Sequence, residues 1–235
     1  MSGVHCDIWY CFMVAVAIHS IANNNVFSPC CLTGEVLVLG DSIPKYLGED
    51  FGFKNGCLRG ATIAKIIDHL TFMVQSDRDT FNCQKIILHI GTNNIKPGCT
   101  AENYMRGYTS LLSTVEYYFP TAQIFCSSVI PRPCDWYKTK FITQLLNELT
   151  CILAAKRNHV YIPAYKRFIK NGSVDLTLYS SQDRLHLNGS GLQELADCFR
   201  QHTKSCKPEA FRQATQLRAA KVTKKLVSRG YPKLP

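Results

Sequence analysis

Three apolar runs of strand length, each stopped by a polar or proline-bearing turn, restrict what this chain can fold into. Val36-Leu37-Val38-Leu39 runs into Gly40-Asp41-Ser42. Residues 85–90, KIILHI, run into Gly91-Thr92-Asn93-Asn94, and residues 123–129 stop at Pro131 and Pro133. A continuous apolar run marks a strand buried on both faces, as in a parallel sheet covered by helices. Residues 61–74 lie between the first two runs, with Ile63, Ile66, Ile67 and Leu70 on helical spacing. Residues 101–119, 138–156 and 190–202 repeat that periodicity, and 51–55 and Val160–Ile162 supply two shorter strands. The alternation predicts an α/β fold with helices on both faces of a parallel sheet. Residues 164–181 read mostly as loop, turning at Asn171-Gly172.

A length of 235 residues with 46% hydrophobic content suits one such domain with extensions. The domain is placed at residues 34–203, preceded by a leader or linker over 1–33 and followed by a basic tail over 204–235. From Phe199 to Pro235 ten Lys or Arg stand against one acidic residue, a net +9, whereas the preceding 198 residues carry 17 against 16, a net +1. The tail is therefore the source of the basic character. It reads either as a helix over 208–228 that contacts nucleic acid or an anionic surface through phosphates, or as a solvated extension.

In the leader, the apolar stretch 8–18 has the length of a signal-peptide core, and Ser20-Ile21-Ala22 resembles a cleavage site. No Lys or Arg precedes it and Asp7 does, which counts against secretion. Twelve cysteines at scattered spacings include no CxxC pair, which argues against a zinc ribbon or thioredoxin-type site. The expectation is a cytoplasmic protein with reduced thiols, or a secreted one if residues 1–22 are a cleaved signal. No apolar run reaches the roughly 18 residues needed to span a bilayer.

Polar residues follow two of the strands and precede the last helix of the domain: Gly-Asp-Ser at 40–42, Gly-Thr-Asn-Asn at 91–94 and Asp-Arg-Leu-His at 183–186. In open α/β sheets, chemistry sits outside the carboxyl ends of the strands. Ser42 or Asp41 could also merely cap the next helix, and Asn93 could merely stabilise its turn. As a set, though, they supply what acyl transfer needs. A serine requires a base within reach, a histidine provides one, and a carboxylate on the far ring nitrogen fixes the histidine's tautomer. Asp183 and His186 are three residues apart, so one loop can carry both. His89 lies within a strand and reads as a core residue. Trp136 and Tyr137 read as lining a cleft or covering a sheet edge.

With Gly40-Asp41-Ser42, Gly60, Gly91-Thr92-Asn93-Asn94 and Asp183-Arg184-Leu185-His186 in this order, the chain resembles the SGNH (GDSL-type) hydrolases. The resemblance implies a three-layer α/β/α, flavodoxin-like sandwich with a parallel sheet of about five strands. It implies hydrolysis of small acyl esters through an acyl-enzyme, without a metal or other cofactor. It assigns Ser42 as nucleophile, His186 as base and Asp183 as orienting acid. The backbone N–H groups of Ser42 and Gly60, with the Asn93 amide, become the oxyanion hole. Gly56 is the rival to Gly60, and Asn94 departs from the Asp often found in the family. GTNN with Leu185-His186-Leu187-Asn188 is similar to a branch of intracellular, acetylhydrolase-like esterase domains, which also occur in first-open-reading-frame proteins of some LINE retroelements. The alternative is a catalytically silent module of this fold, attached to nucleic acid or a protein through the basic tail.

Overall fold

The computed structural model of the chain describes residues 35–76, 83–204 and 208–231. The leader expected over 1–33, with its apolar stretch, lies outside these. Five strands form one sheet: β1 (Val36–Gly40), β2 (Lys54–Asn55), β3 (Lys85–His89), β4 (Gln123–Ser127) and β5 (Val160–Ile162). Their spatial order is β2-β1-β3-β4-β5, and every pairing is parallel. The register sets Gly40 opposite His89 and Leu37 opposite Ile86. The polar turns after β1 and β3 therefore emerge side by side.

Within each strand, successive side chains enter different cores. Leu37, Leu39, Ile86, Leu88, Ile124 and Cys126 face one layer. Helices α1 (Ile63–Ser76), α2 (Ala101–Tyr118) and α3 (Trp136–Lys156) build that layer. Val38, Ile87, Phe125, Val160 and Ile162 face the other, where α4 (Gly189–Thr203) packs Leu195, Ala196 and Phe199. Both faces are covered, so the strands carry no polar alternation, and the chain forms the three-layer parallel α/β fold. Each leucine or isoleucine so buried contributes about 1.5–3 kcal/mol relative to exposure. No helix among the described residues is long and apolar enough to cross a membrane.

The segment read as loop contains a small antiparallel pair, β6 (Ile169–Lys170) with β7 (Ser173–Val174). Asn171 (φ 51°) and Gly172 (φ 78°) form its turn, the positive-φ pair a two-residue hairpin favours.

The basic stretch forms helix α5 (Pro208–Ser228), which packs on α3 and β5. Thr215, Ala219 and Leu226 are buried. The Thr215 hydroxyl accepts the Tyr161 amide at 2.9 Å, and Gln216 Nε2 donates to the Ala155 carbonyl at 2.7 Å. Helix α5 thereby covers β5, an edge strand whose outward amides would otherwise be free to pair with another chain. The helical span expected over 208–228 is present.

Candidate active site

Ser42 stands just past the carboxyl end of β1, half-buried. The turn is tight because β1 and β3 approach closely here: a side chain at Gly40 would place its Cβ 2.4 Å from the His89 carbonyl oxygen. Asp41 is fully buried beneath the turn and accepts the Ile43 amide at 3.0 Å. Burial pushes its carboxyl up to about 6, against the pull of that amide. Asp41 thus shapes the nucleophile turn from below.

Asp183 and His186 come from the loop before α4. Ser180 N–H donates to the His186 carbonyl, and Arg184 N–H to that of Ser180. Arg184 is held at φ 51°, a left-handed conformation uncommon outside glycine. The Asp183 Oδ1 accepts the amides of Leu185 (2.9 Å) and His186 (3.0 Å), fixing the carboxylate. Its Oδ2 lies 2.6 Å from His186 Nδ1. On the far side of the ring, Nε2 lies 3.0 Å from Ser42 Oγ, although the two residues are 144 positions apart.

A carboxylate only accepts, so Nδ1 must carry the proton and Nε2 must be the free acceptor. The Ser42 hydroxyl then donates to Nε2. The His186 bond, followed by the Leu185 and His186 amides, holds the Asp183 carboxyl down at about 2.

Among the described residues, the N–H groups of Ser42 and Gly60 have no hydrogen-bond partner. Gly60 adopts φ +67° with open space beyond it. The N–H of Gly56, by contrast, is engaged by the Val38 carbonyl at 2.9 Å, which leaves Gly60 as the free donor of the pair. Asn93 Nδ2 donates one hydrogen to the Ala61 carbonyl at 3.0 Å and retains a second. Its neighbour Asn94 accepts the Ile63 amide at 3.0 Å and so caps α1. An amide oxygen serves this role as a carboxylate oxygen would.

Two residues that the sequence did not single out hold these parts together. Asn55 Nδ2 donates to the carbonyls of Lys45 (2.6 Å) and Leu47 (2.9 Å), and its Oδ1 accepts Cys57 N–H. It ties the segment after Ser42 to the one leading to Gly60. Arg132 donates to the carbonyls of Thr92 (2.8 Å) and Ile95 (2.9 Å) while forking onto Asp135. The same segment receives the Tyr179 hydroxyl at Pro131, and its Cys134 N–H meets the Arg184 carbonyl. It therefore braces the Asn93 turn and the Asp183–His186 loop at once. Tyr137 is 81% exposed, and Trp136 leans on Tyr165 with ring centroids 6.0 Å apart. His89 is a core residue bonded to Ser127 at 2.9 Å, and burial pushes its imidazole down to about 3.

A buried parallel sheet with a serine, a histidine and an aspartate linked at its carboxyl edge is the arrangement of a serine hydrolase. The GDSL-like lipase/acylhydrolase family model matches residues 39–193, and the chain belongs to this family, whose members are generally serine hydrolases acting on esters. Solved structures share the fold at low identity. A GDSL-like lipase from Bacteroides thetaiotaomicron is 14% identical, with a TM-score of 0.59 over 81% of this chain and 95% of that one. A Streptococcus pneumonia protein provisionally described as a platelet activating factor is 20% identical, with a TM-score of 0.60 over 80% and 90%. A catalytic mutant of an acetylxylan esterase from Geobacillus stearothermophilus is 13% identical, with a TM-score of 0.55 over 72% and 93%. No curated protein matches the chain.

Proposed function

We propose that the protein is a serine esterase of the acetylhydrolase-like kind that cleaves small acyl esters through an acyl-enzyme on Ser42. The observation that carries this reading is the continuous hydrogen-bonded line from Ser42 Oγ to His186 Nε2 and from Nδ1 to Asp183. Ser42 Oγ attacks the ester carbonyl as its proton passes to Nε2, and the Asp183 carboxylate stabilises the imidazolium that forms. The carbonyl oxygen becomes an oxyanion, received by the Ser42 and Gly60 amides and the remaining Asn93 hydrogen. Collapse of the intermediate transfers the Nε2 proton to the leaving alkoxide and leaves the acyl group on Ser42. Water then attacks the acyl-enzyme as His186 takes its proton, and that proton passes from Nε2 to Ser42 Oγ as the carboxylic acid departs.

A preference for short acyl groups rests on the openness of the site. The side chains of His186 and Asp183 are 37% and 45% exposed, so the reacting groups lie at a rim. On p-nitrophenyl acetate, butyrate and octanoate, kcat/KM should fall with chain length, and a serine-directed fluorophosphonate should label the protein once per chain. A folded protein that neither hydrolyses these esters nor takes the label would overturn the reading in favour of the silent binding module.

The oxyanion assignment has its own test. Asn93→Ala removes one donor aimed at charge that exists only in the transition state, so kcat should drop about 10²–10³-fold with little change in KM. A rise in KM at constant kcat would reassign Asn93 to ground-state binding.

A further inference from the structure

Packing of α5 against α3 creates a groove of about 650 Å³, lined by Gln144, Tyr161, Tyr165, Lys166, Arg218 and Lys221 among others. None of the catalytic side chains lines it. A further cation on its wall, Lys225, is paired with Glu148. The other three cations differ: among the described residues, no carboxylate pairs with Lys166, Arg218 or Lys221. Arg218 is also placed by its surroundings, with its guanidinium over the Tyr161 ring, 5.6 Å from the centroid. A guanidinium stacked in this way keeps its N–H fork available for two anionic oxygens. Beside the cations stands an aromatic wall, where Tyr165 is backed by Trp136 at 6.0 Å and its hydroxyl accepts Gln144 Nε2 at 3.2 Å.

Three uncompensated cations on concave walls repel one another and focus a positive potential that an anion would relieve. The volume falls within the roughly 300–1,000 Å³ typical of small-molecule sites. A bilayer surface or a duplex would bear on a convex or flat face, whereas these groups line the inside of a groove.

We infer that this groove binds a small phosphate ester with a flat apolar group, such as an aryl or nucleoside monophosphate. The phosphate lies against Arg218, Lys221 and Lys166, and the flat group against Tyr165. The site is separate from the ester chemistry and does not depend on it.

Calorimetric titration of the full chain with phenyl phosphate and AMP tests this. Saturable one-to-one binding is expected, weakening as salt screens the contact. Arg218→Gln and Lys221→Gln should each weaken it about tenfold, as loss of a charge-assisted contact does. Lys224→Gln removes the same charge from an exposed position on α5 that does not line the groove, and should leave binding within about twofold. Hydrolysis of p-nitrophenyl acetate should be unchanged in all three variants. Absence of saturable binding up to about 10 mM ligand would overturn the inference. So would equal weakening by Lys224→Gln, which would indicate a diffuse charge effect. Inorganic phosphate binding as tightly as phenyl phosphate would remove the aromatic half of the site. Binding to phosphatidylserine vesicles without binding phenyl phosphate would replace the pocket with a lipid contact.

Discussion

A Ser42→Ala protein is expected to lose ester hydrolysis by about 10⁴–10⁶-fold in kcat while keeping its fold. The size of the effect follows from how few groups share the work. Among the described residues Ser42 Oγ has one partner, His186 Nε2 at 3.0 Å, and the methyl group of alanine can neither attack nor transfer a proton. Stability should change by only about 1 kcal/mol, because a half-buried hydroxyl with a single hydrogen bond contributes little net. Initial rates on p-nitrophenyl acetate and a thermal melt monitored by circular dichroism measure the two quantities separately. Ser42→Ala/His186→Ala should be no slower than either single variant, since groups that act as a unit are lost together. Activity within about tenfold of wild type in Ser42→Ala would require another nucleophile. Cys57 is a poor substitute: burial raises its thiol well above the usual range, and Asp41 adds to the shift, so little thiolate is available.

The parts of the fold that were legible in the sequence are those with a local signal. A strand buried on both faces is apolar through its middle, so Val36–Leu39 and Ile86–Leu88 announce themselves. Ser42, Asn93, Asp183 and His186 were legible because each sits in a short polar block beside a strand end or before a helix. Arg132 and Asn55 were not. The Arg132 bonds to Thr92 and Ile95 span 40 and 37 residues, and a long-range contact of this kind has no periodicity to read. The packing of α5 was obscured for another reason. It covers a strand edge rather than a sheet face, so a narrow stripe of Thr215, Ala219 and Leu226 is enough. Its basic residues dominate the pattern. The same packing produces the groove, which depends on a helix pairing that the sequence does not encode locally.

Asp183→Asn should lower kcat by about 10²–10⁴-fold and should do so through the histidine's tautomer. In the native site the carboxylate presents only acceptors, which keeps the proton on Nδ1 and leaves Nε2 free for the serine. An asparagine that preserves the Leu185 and His186 amide contacts through its oxygen turns its –NH₂ toward Nδ1. The ring must then accept at Nδ1 and hold its proton at Nε2, pointing at Ser42, so the base is lost while the geometry stays. The lower bound reflects the 45% exposure of the Asp183 side chain, which lets water compete with the amide and restore part of the productive tautomer. Nitrogen chemical shifts of the His186 ring decide the matter: Nδ1-protonated in the native protein, Nε2-protonated in the variant. A rate loss without a change of tautomer would mean that Asp183 acts mainly through charge. Its carboxyl, held near 2 against an ordinary 3.8, is stabilised in the ionised form. Its contribution to stability is therefore complete above pH 3.8 and is lost as the pH falls through about 2. Any acid limb in the rate profile above about pH 3 thus belongs to another group.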